Sequence, residues 1–285
     1  MRFYLHFVSF SRKLITFVNM IPEILTDYIS AHTAPEPEYL KEISKRTNQR
    51  MVNPRMSSGH VQGRFLAFLS KLINPSLVLE LGTFSGYSAL CLAEGLKNGG
   101  EVITIEKNDE YESFIKENLS LSPLGNKVKL LIGEAENILK PPFNLIVENV
   151  SERSETFFTN FQLSTLNSQT VTLNSIVENV SERSEQSNNS CTSQIAQYNS
   201  IDIAFIDADK RRLLEDYELV LPLMSKGGII IIDNTLWDGH IADPEYSRDA
   251  QTQGIRNFND FILSDNRIEH ILLPVRDGIT ICKTI

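Results

Sequence analysis

The chain has 285 residues, 41% of them hydrophobic and 22% charged, which fits a globular protein with a substantial core and excludes a disordered or collagen-like chain. A formal net charge of -9 opposes polyphosphate partners, so a small-molecule substrate is the default and a nucleic acid would need a local basic patch. Cys91, Cys191 and Cys282 are far apart and no histidines form an HxxxH pair, so neither a disulfide framework nor a zinc site is indicated; a cytoplasmic location is expected, with oxygen ligands for any metal.

Residues 1–20, MRFYLHFVSFSRKLITFVNM, are apolar and basic, but Arg12 and Lys13 break the run. They read as an N-terminal extension rather than a signal peptide, with Met20 an alternative start. No run of ~18 apolar residues occurs, so no membrane-spanning helix is expected. From 21 to 74 the spacing predicts helices: Ile24, Leu25, Tyr28 and Ile29 on the first, PEPEYLKEISKR opening the second, and Val61, Phe65, Leu66, Leu69 and Leu72 lining the third. Strands then alternate with helices. LVLELG (77–82) is a strand, SGYSALCLAEGL a helix and EVITIE (101–106) a strand. Tyr111, Phe114, Ile115 and Leu119 stripe a helix capped by Asn108 or Asp109, and VKLLIG (128–133) is the next strand.

The alternation resumes with IDIAFID (201–207), a helix over 213–224 and GGIIIID (227–233). A last helix carries Ile255, Phe258, Phe261 and Ile262, and EHILLP and ITICKT form an antiparallel hairpin across Asp277-Gly278. The pattern predicts one α/β domain over 21–285, a Rossmann-like, doubly wound and largely parallel sheet with an N-terminal helical lid. The stretch 141–200 interrupts it as an insert, roughly half Ser, Thr, Asn or Gln, in which IVENVSERSE stands at 146–155 and again at 176–185. Two copies are too few for a solenoid, so the insert reads as a duplicated surface loop without chemistry, the alternative being a partner-binding or substrate-capping flap.

Four strand ends carry the chemistry. Gly82 and Gly86, in Glu80-Leu81-Gly82-Thr83-Phe84-Ser85-Gly86-Tyr87-Ser88, let backbone approach a ligand, and Glu106 ends the next strand where a carboxylate can accept two ribose hydroxyls. The GxxxG spacing disfavours a dinucleotide, and the turn taken together with Glu80 before it and Glu106 after the next strand points to a nucleoside. Asp207 and the Asp233-Asn234 pair end neighbouring strands and bring three hard oxygen donors together, a magnesium- or calcium-type site. Lys210, three residues past Asp207, suits a general base, because a lysine beside a divalent cation gives up its proton more readily. Trp237 and Asp238 fall at the mouth, where Trp237 is either an aromatic wall or ordinary loop packing.

LELGTFSGYSALCLAEGL, VITIEKNDEY, FIDADK, GGIIIIDNTLWDG, GIRNFN and DGITICK together resemble the cation-dependent class I S-adenosylmethionine O-methyltransferases, the group of caffeoyl-CoA and catechol O-methyltransferases. The resemblance runs from about Ile21 to the C-terminus, apart from the insert. It implies seven strands in the order 3-2-1-4-5-7-6 with the last antiparallel, and a homodimer. It further implies that Glu80, Gly82, Thr83, Ser88, Glu106, Ala135 and Asp209 contact S-adenosylmethionine under Met56 and Ser58 of the lid. By the same resemblance Asp207, Asp233 and Asn234 hold a divalent cation, Mg²⁺ first with Ca²⁺ or Mn²⁺ as alternatives, Lys210 is the base, and Asp238 lies near a catechol-like or phenolic substrate. One departure is RRLLEDY after DADK, which keeps only Tyr217 where the family commonly has more tyrosines.

Two rival readings remain. One is methylation of a hydroxylated uridine in tRNA, with Arg50, Arg55, Arg64 and Arg211-Arg212 as the basic patch. The other is a catalytically impaired protein that binds S-adenosylmethionine and uses the insert to hold a partner.

Overall fold

The computed structural model describes residues 23–139 and 201–285. Apart from Ile138 and Leu139, these belong to the unit formed by Met1–Asn137 and Asn199–Ile285; a second unit, Ile138–Tyr198, takes in all but the last two residues of the expected insert. The N-terminal extension and the duplicated segment lie outside the described residues.

Three helices open the described chain: α1 (Glu23–Ala31), α2 (Glu38–Arg50) and α3 (Gly59–Ile73). Strands and helices then alternate through β1 (Leu77–Leu81), α4 (Tyr87–Ala93), β2 (Glu101–Glu106), α5 (Glu112–Leu119), β3 (Val128–Ile132), α6 (Ala135–Leu139), β4 (Ile201–Ile206), α7 (Leu213–Val220) and β5 (Met224–Asp233). The chain closes with α8 (Ala250–Ile262), β6 (Ile268–Leu273) and β7 (Ile279–Thr284). The sheet order is β3-β2-β1-β4-β5-β7-β6, parallel except where β7 runs antiparallel to both neighbours. This is the Rossmann-like arrangement expected.

Layering explains the composition of the strands. Every residue of β1 is buried, as are Ile230, Ile231 and Ile232 of β5, because helices cover both faces of a parallel sheet. Each fully buried aliphatic side chain contributes about 1.5–3 kcal/mol relative to exposure, so the central strands dominate cohesion. β6, at the edge, is exposed over much of its length.

Three local expectations need correction. Leu72 does not line the inner face of α3 but is 66% exposed, and the buried residues there are Gln62, Gly63, Leu66, Ala67 and Ser70. The cause is close helix packing: a Cβ on Gly63 would sit 2.5 Å from the Tyr87 ring, so small residues form the contact and apolar periodicity points to the wrong face. Leu25 and Tyr28 of α1 are likewise exposed. The helix expected over 213–224 ends at Val220, since Pro222 forces a tight turn at Leu221–Leu223, and β5 starts three residues earlier than expected.

Candidate active site

In a parallel sheet the carboxyl ends of neighbouring strands open on one edge, and short backbone bonds carry the ladder past them. Gly82 N–H donates to Ile105 O at 2.9 Å, Asp207 N–H to Leu81 O at 2.9 Å and Gly133 N–H to Glu106 O at 2.8 Å. Together they hold the loops after β1, β2, β3 and β4 beside one another over a cavity of about 690 Å³. Gly82 has φ +96, and a Cβ there would lie 2.1 Å from Asp207 O, so only glycine lets the β1 and β4 loops meet.

Met56, Gly82, Glu106, Ala135, Asp207, Asp209, Lys210, Asp233, Asn234 and Trp237 line this one cavity. Ser58, Glu80, Thr83, Gly86 and Ser88, all expected to touch the cofactor, are outside the lining. Glu80, Thr83, Ser88 and Ser58 are buried beside it. Gly86, with φ +78, caps α4 instead. Asp238 is exposed beyond the lining, and burial together with the neighbouring Asp238 charge pushes the Asp277 carboxyl up.

Glu106 is held by two backbone donors, Phe84 N–H to Oε2 and Asn108 N–H to Oε1, each at 2.8 Å. That fixes the carboxylate plane and leaves a lone pair on each oxygen free to accept a hydroxyl. Beneath it, the Thr104 hydroxyl donates to Glu80 Oε2 at 2.5 Å and shares a bond with the Thr83 hydroxyl. Glu80 Oε1 is buried without a hydrogen-bond partner. Burial pushes the Glu80 carboxyl up to about 8, against the lowering effect of the Ser88 and Thr104 hydroxyls. A buried acid oxygen of this kind fits a ligand that brings a cation or a donor.

On the β4 and β5 side, Lys210 Nζ donates to Asp207 Oδ1 at 2.9 Å and to Asp233 O at 3.1 Å, with the lysine only 5% exposed. Asp233 accepts from Gln62 Nε2 at 2.6 Å on Oδ2 and from Asn234 N–H at 2.8 Å on Oδ1. Burial and the neighbouring Asp207 charge push the Asp233 carboxyl up. Lys210 is thus held by the Asp207 carboxylate and the Asp233 main chain, the Asn234 amide donates to Asp277 Oδ2 at 3.4 Å, and the side-chain oxygens of Asp207, Asp233 and Asn234 in this lining are hard donors of the kind that fits a divalent cation. Among the described residues, no group of three or more His, Cys, Asp or Glu side chains is clustered as a metal centre, and this site has only two such members.

Other residues went unseen in the sequence. Gln62, Arg276 and Asp277 belong to the same construction, and Gln62 left no local signal, being one of several polar residues on α3 with His60, Arg64, Ser70 and Lys71. Tyr217, the single tyrosine of the segment after DADK, is no cavity residue: it is fully buried, bonds Asp265 at 2.8 Å and packs edge-on against Phe258. The suggested basic patch is largely neutralised, because Arg50 pairs with Glu117, Arg64 with Glu94, Arg211 with Asp209 and Arg212 with Glu136 and Glu215. No helix among the described residues is long and apolar enough to cross a membrane.

Comparison with known proteins agrees with this geometry. The O-methyltransferase family model matches residues 29–155 and 178–285, and the gap between the two matched stretches falls within the polar insert. Caffeoyl-CoA O-methyltransferase 2 of Zea mays is 28% identical over 257 residues, covering 88% of this chain and 78% of that protein. Caffeoyl-CoA O-methyltransferase 3 of Nicotiana tabacum is 29% identical over 259 residues, covering 88% and 85%. The fold matches that of the Bacillus cereus O-methyltransferase solved in complex with SAH, with a TM-score of 0.67 and 24% identity over 92% of this chain and 97% of that one. It also matches TomG of Streptomyces achromogenes, an O-methyltransferase of tomaymycin synthesis solved with SAM, with a TM-score of 0.65 and 21% identity over 93% and 99%. With the family model covering most of its length, the chain belongs to the class I, S-adenosylmethionine-dependent O-methyltransferases.

Proposed function

We propose that this enzyme methylates a hydroxyl of a small catechol-like substrate with the help of a divalent cation, magnesium first among the candidates. The observation that carries the reading is that Asp207, Lys210, Asp233 and Asn234 line one cavity, with Lys210 Nζ bonded to the Asp207 carboxylate and to the Asp233 main-chain oxygen. The relatives named caffeoyl-CoA O-methyltransferases support a phenolic acceptor.

In this reading Glu106 accepts the two ribose hydroxyls of the cofactor, Gly82 and Ala135 line its nucleoside, Asp209 and Met56 complete its walls, and Glu80 faces its amino end from beneath, among Thr83 and Ser88. Gly86 sets the turn, and Ser58 backs Met56. Asp207, Asp233 and Asn234 hold the cation, which when bound supplies the charge stabilisation that lets a substrate hydroxyl ionise near neutral pH. Lys210 accepts the hydroxyl proton at Nζ, so that the substrate oxygen can form its bond to the methyl carbon as the carbon–sulfur bond breaks and leaves S-adenosylhomocysteine. Trp237 and Asp238 stand at the substrate side. The protein contributes chiefly orientation, which is worth about 7–11 kcal/mol when the reacting atoms are well aligned. The exposed apolar side chains of Leu25, Tyr28, Phe68 and Leu72 offer surface for the homodimer this reading includes.

The test is methyl transfer from labelled S-adenosylmethionine to a panel of catechols with Mg²⁺, repeated with EDTA and with Asp207→Ala. Turnover should vanish under both treatments while the variant keeps its cofactor affinity. Turnover that EDTA leaves intact refutes the cation, and an equal loss of turnover and cofactor affinity in the variant refutes this division of roles.

A further inference from the structure

Arg276 stands in the turn between β6 and β7 with φ +51, a left-handed conformation in which a residue with a Cβ is strained and glycine is not. Its side chain reaches across the cavity edge to the lid. Nη1 donates to Ser57 O at 2.9 Å, Ser58 O at 2.8 Å and Gln62 Oε1 at 3.0 Å, and Nη2 donates to Arg55 O at 2.6 Å. Three of the four acceptors are main-chain carbonyls of the loop that carries Met56, and a planar guanidinium is the side chain able to serve them together.

The fourth acceptor leads further. With Gln62 Oε1 taken by Arg276, the amide must present Nε2 to Asp233 Oδ2, where it donates at 2.6 Å. The orientation of the Asp233 carboxylate is therefore set from the turn through one buried amide. The opposite side of the same turn grips the loop after β5: Asp277 O accepts from Leu236 N–H at 2.8 Å and Trp237 N–H at 3.1 Å, and Gly278 O accepts from Thr235 N–H at 3.1 Å. One short turn thus ties together the lid, the Asp233 side chain and the Trp237 loop.

We propose that Arg276 is a positioning residue that latches the loop at 53–58 to the β6–β7 turn and, through Gln62, orients the Asp233 carboxylate. This rests on the reading above in which Met56 borders the cofactor and Asp233 holds a cation. A plain structural strut would show itself in stability. A latch shows itself in loop exposure, cofactor affinity and ion affinity at nearly constant stability, because Arg276→Gly relieves the left-handed strain as it removes the contacts.

The experiment compares the full-length wild type with Arg276→Gly, Arg276→Lys and Gln62→Ala. Limited trypsinolysis, mapped by mass spectrometry at the Arg55–Met56 bond, reports the loop. Calorimetry with S-adenosylmethionine in EDTA reports the cofactor, and paramagnetic resonance of free Mn²⁺ reports the ion. In Arg276→Gly, cleavage at Arg55 should accelerate at least tenfold and cofactor affinity should fall about tenfold, with Arg276→Lys intermediate. Gln62→Ala should leave most of the loop protection in place while Mn²⁺ affinity falls at least fivefold in both it and Arg276→Gly. Wild-type cleavage and wild-type cofactor affinity in Arg276→Gly overturn the latch. Unchanged Mn²⁺ affinity in both variants overturns the route through Gln62. A wild type that binds no Mn²⁺ overturns the cation reading together with that route, while cleavage and cofactor affinity still decide the latch.

Discussion

Replacing Glu106 with glutamine removes a charge and turns one acceptor into a donor without changing the size of the side chain. In the native site both carboxylate oxygens are already engaged, by Phe84 N–H and by Asn108 N–H. Glutamine can keep only one of these bonds and sets its amide hydrogens against the other N–H. On the ligand side, a hydrogen bond to a charged group contributes about 1.5–3 kcal/mol, and one of the two to the ribose diol is lost or weakened to its neutral value. Adding part of the penalty for an unsatisfied backbone N–H brings the loss to about 2–4 kcal/mol, or roughly 30- to 700-fold in dissociation constant. Calorimetric titration of S-adenosylmethionine into Glu106→Gln measures it, with the thermal transition as a control for folding. A folded variant that binds the cofactor within threefold of wild type would refute the role given to this carboxylate.

Two further outcomes concern stability. Gly82→Ala sets a Cβ against the main-chain oxygen of Asp207 at φ +96 and should cost at least about 3 kcal/mol in denaturant unfolding; a loss below about 1 kcal/mol would mean the two loops part more easily than the close contact implies. Asp265, 3% exposed, is held down to about 2 by Arg267, with Tyr217 assisting. Its folded value lies below the unfolded one, so its stabilisation, about 2 kcal/mol, is complete above pH ~4 and drains away as pH falls toward ~2. Asp265→Asn should therefore be less stable than wild type at pH 7 by that order. The gap between their denaturant midpoints should narrow between pH 4 and pH 3, and a gap independent of pH would contradict the argument.

Much of this architecture can be read from the chain because buried parallel strands announce themselves. Runs such as LVLEL and IIII have no plausible exposed face, and the residue that follows each run falls at the ligand-binding edge. Glu106, Asp207 and Asp233 are found that way, each a charge at the end of an apolar run. What cannot be read is whatever depends on distant partners. Arg276 meets the lid across more than two hundred residues, and nothing local distinguishes it from a surface arginine in a hairpin turn. Leu72 misleads for a related reason: the tightness of the helix contact at Gly63 and Tyr87, not hydrophobicity, decides which side of α3 faces inward. The fate of Glu80 likewise depends on depth, which a strand pattern does not report.

Trp237 is the single tryptophan of the chain, and it lies on the cavity wall with its main-chain N–H fastened to the β6–β7 turn. Ultraviolet emission excited at the red edge of protein absorption therefore comes from the mouth of this cavity alone, with no second indole to dilute it. The unmodified protein carries its own optical reporter: a stopped-flow trace after mixing with an aromatic acceptor would follow arrival at that wall in real time, without a dye or an engineered label.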